Sequence, residues 1–221
     1  MNISLANLLS WSRIAATPVV LGLLALRDWP PAYLIAAVLF VLAQITDVLD
    51  GYFARRQKTV SNLGIFLDLT ADKLMVSSVL IMLVEQKILS AWIAIIIIGR
   101  EFLITGLRSY AASNGVVIPA GRLGKLKTVF TAIALTWLIV WADAVYPTGI
   151  FHGLFEWKVG DIQPARLFFE IAWLWMYWVT WMTIYSGYTY CRDFLKLQAA
   201  NKQRAAEQPP TASGKSQKVT P

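Results

Sequence analysis

Four aspartates lie close together in an apolar part of the chain, in two pairs. Asp47 and Asp50 are three residues apart, and Asp68 and Asp72 are four apart, so in helices each pair occupies one face. Their apolar surroundings predict two antiparallel membrane helices, on which both pairs converge at one depth. Four carboxylates in mid-membrane would cost on the order of 10 kcal/mol or more. We therefore expect a cationic group between them.

The chemistry of this ligand set favours a hard divalent cation. Oxygen-only ligands suit two Mg²⁺ or Mn²⁺ ions, whereas zinc favours His and Cys, and the chain has one of each, both elsewhere. Two bridged ions would stabilise the attacking and leaving oxygens of a phosphoryl displacement. Two other interpretations stay open: structural salt bridges to Lys73, Arg55 and Arg100, or an ion pathway through a transporter.

Two glycines flank the acidic cluster. Gly51 follows Asp50 directly, and Gly64 begins the next apolar stretch. Glycine lowers helix stability, so this placement indicates that a bound group approaches the backbone closely, although packing alone would also explain either glycine. Arg55, four residues after Gly51, would direct its guanidinium towards phosphate oxygens.

The composition indicates that a membrane holds these residues in place. Of 221 residues, 57% are hydrophobic and 15% are charged, with a mean hydropathy of +0.55. Soluble domains are about 45–50% apolar and about 25% charged. The net charge of +7 does not indicate a nucleic-acid partner, because such proteins carry their charge on a soluble surface. The single Cys191 excludes an intramolecular disulfide.

Six apolar stretches approach the roughly 20 residues that a transmembrane helix needs. They cover residues 14–26, 32–53, 63–84, 88–107, 128–145 and 167–190, and residues 5–11 form an amphipathic approach to the first. We predict an all-α integral membrane protein with six transmembrane helices in residues 1–197. Residues 198–221 are polar and contain proline, which predicts a disordered tail.

The distribution of Lys and Arg predicts the orientation. One set of connecting segments carries most of these residues, whereas the other set carries only Arg27, Lys87, Lys158 and Arg166. The basic set includes the N-terminal and C-terminal segments. We therefore expect cytoplasmic termini and a metal site that faces the cytoplasm.

The acidic cluster matches a known pattern. The residues spell Asp47-x2-Asp50-Gly51-x2-Ala54-Arg55-x8-Gly64-x3-Asp68-x3-Asp72, which resembles the complete signature of the CDP-alcohol phosphotransferases. The resemblance implies a six-helix membrane fold, usually a homodimer, that transfers a group from a CDP-linked donor to an alcohol and releases CMP.

The resemblance also implies roles for these residues. In the family pattern, Asp47, Asp50 and Asp68 ligate the metals, and Asp72 contributes to the metal site and acts as the catalytic base. The cytidine diphosphate is contacted by Gly51, Ala54, Arg55, Gly64 and Asp68.

Shorter segments narrow the resemblance to one branch of the family. Asn7-x2-Ser10-x2-Arg13-x4-Pro18, Gly99-Arg100-Glu101, Gly124-Lys125-x-Lys127-Thr128 and Ser186-Gly187-x2-Tyr190 are similar to bacterial phosphatidylglycerophosphate synthases. Ser10 stands where that branch has Thr. This resemblance implies CDP-diacylglycerol as donor, glycerol 3-phosphate as acceptor and a place among the lipids of the bacterial cytoplasmic membrane.

The acceptor is the least determined part of the prediction. Arg108, Lys125 and Lys127 lie on the same predicted membrane face as the aspartates, where they would bind the phosphate of an acceptor such as glycerol 3-phosphate. The positive-inside rule alone would also place them there. Inositol phosphate, serine and phosphatidylglycerol remain alternative acceptors, and an ion-coupled transporter remains the alternative of another class.

Overall fold

The computed structural model describes residues 5–57, 62–113, 122–158 and 163–207, with side chains for 10–46, 69–113, 126–158 and 163–199. This part of the chain is all-helical, with no strand, as the sequence predicted. The helices are α1 (Leu5–Ala25), α2 (Ala32–Gln57), α3 (Asn62–Glu85), α4 (Ala91–Ser113), α5 (Arg122–Val145), α6 (His152–Phe155) and α7 (Pro164–Glu207).

Each of the six predicted apolar stretches coincides with one long helix, and proline and glycine mark several ends. Pro30 and Pro31 separate α1 from α2, and α7 begins at Pro164, where a missing N–H costs nothing. After α3, Lys87 has a φ of 60°, the left-handed conformation that commonly ends a helix. Gly149 follows α5, and a Cβ there would lie 1.5 Å from the Asp143 carbonyl oxygen, so only glycine fits.

The helices differ from the predicted stretches in three respects, two helix ends and one additional helix. Residues 5–11 belong to the continuous helix α1 instead of a separate interfacial segment. A short helix, α6, lies in the long connection before α7. Helix α7 continues to Glu207, ten residues past the predicted domain end at 197, because its last turns are rich in Ala, Gln and Lys, which are good helix formers. Residues 208–221, the rest of the predicted tail, lie outside the described residues.

The helices alternate in direction, which gives the bundle two distinct ends. α1 packs against α2 and α3, α5 packs against α2 and α7, and α4 packs against α7 and α3. The core between them is apolar and includes Leu24, Phe40, Met75, Leu138 and Met176, which are fully buried. We call the end with the starts of α1, α3 and α5 and the ends of α2, α4 and α7 the aspartate end, and the opposite one the loop end.

Two of these helices contain stretches that could cross a membrane by length and composition, within the part of the chain that the structure describes. They are Leu126–Val145 and Pro164–Ala199, and Ser10–Ala25 and Ala32–Thr46 are shorter apolar stretches. At roughly 1.5 Å per residue, the 44 residues of α7 extend about 66 Å, which exceeds the roughly 30 Å of a bilayer core. The six-span arrangement stays a prediction.

Candidate active site

The motif residues lie on two consecutive helices, α2 and α3, at the aspartate end. The second half of α2 carries Asp47, Asp50, Gly51, Ala54 and Arg55, and the first half of α3 carries Gly64, Asp68 and Asp72. The helical backbone gives each aspartate pair the spacing of one helix face. Side chains 47–57 and 62–68 lie outside the described residues, so the convergence of the two pairs and the contacts to cytidine diphosphate stay predictions.

Asp72 is the motif residue whose side chain the structure describes. It is partly buried and lines a cavity of about 30 Å³ between α3, α4 and α5. The polar part of the lining comes from Asp72, Lys73, Ser77, Glu101, Lys127, Thr128 and Thr131. A cavity of this size accommodates a water-sized group. The carboxylate predicted to act as a base therefore shares a cavity with a lysine that was predicted to bind the acceptor phosphate.

A buried ion-pair network forms one wall of this cavity. The Lys127 ammonium contacts Glu101 Oε1, and Arg100 Nη1 donates to the same oxygen at 3.2 Å. The Lys127 side chain is 3% exposed, that of Arg100 is 11% exposed, and that of Glu101 is 27% exposed. Isolated charges at this burial would be costly, so the Glu101 carboxylate stabilises both cations, which repel each other.

Helix α7 also contacts this network. Arg100 Nη2 donates to Ser186 Oγ at 3.0 Å, and Ser186 Oγ donates to the Thr183 carbonyl at 3.3 Å. At Gly187, an added Cβ would lie 3.2 Å from Arg100 Cγ. The Arg100 side chain therefore lies against α7 at a position where glycine leaves room for it.

This network agrees in part with what the sequence predicts for Arg100 and Glu101. Adjacent helical residues point about 100° apart, which predicts that Arg100 and Glu101 pair with different neighbours, either in a buried structural network or at the cytoplasmic cavity. Arg100 instead reaches back to Glu101, while each also has a partner on another helix.

The other two predicted acceptor residues differ from Lys127 in their placement. Arg108 lies on α4, seven residues after Glu101 and therefore on nearly the same helix face, and its side chain is exposed. The Lys125 side chain lies outside the described residues. The structure thus brings Lys127 to the Asp72 cavity and leaves the contribution of the other two as a prediction.

An apolar groove of about 820 Å³ lies beside the cavity. It is lined by Val41, Gln44, Ile45, Thr128, Val129, Ala132, Ile133, Thr136, Trp137, Val140 and Phe168, from α2, α5 and α7. Thr128 lines both the groove and the Asp72 cavity. A polar space and an apolar space therefore adjoin at one residue.

The donor set fits a hard divalent cation. The four aspartates offer carboxylate oxygens, which Mg²⁺ and Mn²⁺ prefer, and nearby Glu101 is already engaged by two cationic side chains. The described side chains include only Asp72 of this set, and within them no three acidic, histidine or cysteine groups cluster as a metal site.

Together these features define a class: an all-helical, membrane-type protein with a charged site between its helices. Residues 3–189 match the CDP-alcohol phosphatidyltransferase family. The chain belongs to this family of enzymes, which confirms the family that the aspartate motif predicted.

Related proteins match much of the chain. It is 36% identical over 187 residues to the CDP-diacylglycerol--glycerol-3-phosphate 3-phosphatidyltransferase of Rickettsia bellii (strain RML369-C), over 85% of this chain and 93% of that protein. It is 43% identical over 148 residues to the protein of the same name from Bacillus subtilis (strain 168). This match covers 62% of this chain and 77% of that protein. The chain is also 36% identical over 166 residues to CDP-diacylglycerol--glycerol-3-phosphate 3-phosphatidyltransferase 2 of Arabidopsis thaliana. This match covers 67% of this chain and 71% of that protein.

Proposed function

We propose that this enzyme transfers the phosphatidyl group of CDP-diacylglycerol to glycerol 3-phosphate, giving phosphatidylglycerophosphate and CMP. The observation that carries the proposal is the meeting of two spaces at Thr128: a charged cavity with Asp72 and Lys127, and an apolar groove. A donor that joins a nucleotide diphosphate to acyl chains requires this combination. The names of the relatives supply the same donor and acceptor.

The donor is bound from both sides of its diphosphate. Gly51, Ala54, Gly64 and Asp68 hold the cytidine end, with Arg55 on the phosphate oxygens, as the family motif implies. The acyl chains lie in the groove between α2 and α5 or in the surrounding lipid. Burial of the chains orients the donor, so that the phosphorus next to diacylglycerol faces the Asp72 cavity.

Asp47, Asp50, Asp68 and Asp72 would hold two divalent ions. When bound, such ions neutralise the diphosphate and stabilise the charge of the departing CMP. Asp72 takes the proton from the acceptor hydroxyl. The hydroxyl oxygen then attacks the phosphorus that bears diacylglycerol, a new P–O bond forms, and the bond to CMP breaks. Arg108, Lys125 and Lys127 bind the acceptor phosphate.

The same proposal includes a membrane arrangement. Six helices, α1–α5 and α7, span the bacterial cytoplasmic membrane as a homodimer, with cytoplasmic termini and the aspartate end facing the cytoplasm. The exposed apolar side chains of α7 support contact with lipid, since Leu174, Trp181 and Tyr188 are all more than half exposed. The cytoplasmic face is where water-soluble glycerol 3-phosphate and CMP can enter and leave.

Product analysis tests the function. The purified protein in detergent micelles with CDP-diacylglycerol is given glycerol 3-phosphate, inositol phosphate, serine or phosphatidylglycerol, and CMP release and the lipid product are measured. We expect CMP and phosphatidylglycerophosphate with glycerol 3-phosphate only. Turnover with another acceptor and none with glycerol 3-phosphate would contradict the proposed acceptor while leaving the family intact. No CMP from any acceptor would contradict the enzymatic function as a whole.

A further inference from the structure

Glu101 occupies an unusual position between two buried cations. Its Oε1 atom accepts from Arg100 on its own helix and contacts the ammonium of Lys127 on α5. Lys127 is buried and Arg100 is largely buried, and if Glu101 lost its charge the two cations would repel each other, with only Asp72, among the described residues that line the same cavity, to offset the charge of Lys127. The Glu101 carboxylate is therefore the group that keeps the Lys127 ammonium at its observed place.

The Lys127 ammonium remains able to bind a ligand while it is paired. An ammonium has three N–H donors, and one contact to Glu101 Oε1 uses one of them. Lys127 and Glu101 both line the cavity that also holds Asp72. A single phosphate oxygen, which is similar in size to a water, fits this cavity and would meet an ammonium whose direction Glu101 has fixed in advance, which lowers the entropic cost of binding.

Arg100 in turn fixes Glu101. Its guanidinium is shared between Glu101 Oε1 at 3.2 Å and Ser186 Oγ at 3.0 Å, and its Cγ lies where a Cβ at Gly187 would be 3.2 Å away. Movement of Arg100 would therefore move Glu101 and, through it, Lys127. A side chain on α7 thereby influences a cation on α5 with no direct contact between them.

We propose that Glu101 is a positioning residue that aims the Lys127 ammonium at the phosphate of the acceptor, and that Arg100, held against Gly187 by Ser186, keeps Glu101 in place. The inference rests on the proposed function, because it assumes a phosphorylated acceptor at Lys127. Glu101 makes no contact with substrate itself and acts only through Lys127.

A double-mutant cycle tests this coupling. Glu101→Gln and Lys127→Gln should each raise the KM for glycerol 3-phosphate about tenfold, with kcat and the KM for CDP-diacylglycerol within about threefold of the parent. The double variant should be no more than about twofold worse than Lys127→Gln alone, because Glu101 has nothing left to position. Additive effects, in which the double variant loses about a hundredfold, would overturn the proposal, as would a fall in kcat alone.

A glycine pair tests the contribution of α7 and covers the case in which Glu101→Gln does not fold. Gly187→Ala places a Cβ against Arg100, whereas Gly106→Ala on α4 meets no atom within 4 Å. Both gain similar helix propensity. We expect Gly187→Ala to raise the KM for glycerol 3-phosphate about three- to tenfold and Gly106→Ala to change it less than twofold. Equal values for the two variants would overturn the positioning role of Arg100.

The outcomes separate the two proposals. If the unmutated enzyme uses inositol phosphate instead of glycerol 3-phosphate, the proposed function is wrong. The double-mutant cycle is then measured with inositol phosphate, and additive effects on its KM would again contradict the role of Glu101. If it uses serine alone, both proposals fall, because no acceptor phosphate reaches Lys127. If glycerol 3-phosphate works and the cycle is additive, only the inference about Glu101 falls.

Discussion

The Tyr33 hydroxyl on α2 donates a hydrogen bond of 3.1 Å to Oε1 of Gln86, the residue that directly follows α3. Gln86 Nε2 donates in turn to the carbonyl of Leu24 on α1. Tyr33 and Gln86 are buried, and the Tyr33 ring stacks on Tyr146 with ring centroids 5.5 Å apart. One glutamine thus joins three helices at the loop end, where it also satisfies a helix carbonyl that has no partner within the last turn.

Replacing Gln86 should reduce stability without reducing activity. Gln86→Leu leaves the Tyr33 hydroxyl and the Leu24 carbonyl without this partner, so we expect a loss of about 1–3 kcal/mol in the free energy of unfolding. Thermal or denaturant unfolding in detergent measures it. Turnover of the folded protein should stay within about twofold, because Gln86 lies about 20 Å from Asp72 along α3, at roughly 1.5 Å per residue.

The neighbouring Glu85 supplies the control for this measurement. Its carboxylate accepts from Arg27 at 3.3 Å, and both side chains are about half exposed or more. An ion pair of this kind contributes about 0–1 kcal/mol, so Glu85→Gln should hardly change the unfolding transition. If the two variants had the same free energy of unfolding, the buried hydrogen bonds of Gln86 would contribute no more to stability than the exposed ion pair of Glu85.

Chelation of divalent cations should abolish turnover, and Mg²⁺ or Mn²⁺ should restore it. The physical reason is the repulsion among four carboxylates, which only a cation offsets. Asp47→Asn, Asp50→Asn and Asp68→Asn should each weaken Mn²⁺ binding, measured by calorimetry or electron paramagnetic resonance. Asp28→Asn is the control, because Asp28 is an exposed aspartate at the loop end. Full turnover of the chelated enzyme would contradict the metal site.

Asp72→Asn tests the base. If the carboxylate accepts the proton of the attacking hydroxyl, the amide should lower kcat by about 10²- to 10⁴-fold while the protein still binds CDP-diacylglycerol. Asp143→Asn is the matched control: Asp143 is fully buried at the loop end, where Oδ2 accepts from the Phe151 N–H at 2.9 Å. Activity of Asp72→Asn within tenfold of the parent would remove Asp72 from this role.

The sequence predicted the helices well and the side-chain network only in part, for physical reasons. Apolar stretches determine where long helices form, so all six predicted stretches coincide with helices. Helix α7 continues past residue 198, where hydropathy falls, because helix propensity continues to Glu207. The spacing of Asp72 predicted a site at the aspartate end, and the structure places it in a cavity there.

The pairing of Arg100, Glu101 and Lys127 depends on quantities that a local pattern does not contain. These are the rotation of α4 about its axis, the register of α5 against it, and the rotamer with which Arg100 turns back to its neighbour. The structure places Lys127 at the cavity that Asp72 also lines, and its role in binding the acceptor stays a prediction. The contact between Glu101 and Lys127 joins two helices, so it depends on how α4 and α5 pack.

The identity of the acceptor gives the last prediction. A phosphate dianion needs fixed cations, and a charge-assisted hydrogen bond contributes about 1.5–3 kcal/mol, which corresponds to roughly 10- to 100-fold in affinity. Arg108→Gln and Lys125→Gln should therefore each raise the KM for glycerol 3-phosphate by that factor. The KM for CDP-diacylglycerol should change little, because its diphosphate is assigned to Arg55 and the aspartate site. The control is Arg192→Gln, which removes another exposed cation at the same end of the bundle, paired with Asp193 on α7. If all three variants raised the KM equally, the effect would come from the general positive charge of this face, and the specific roles of Arg108 and Lys125 would be wrong.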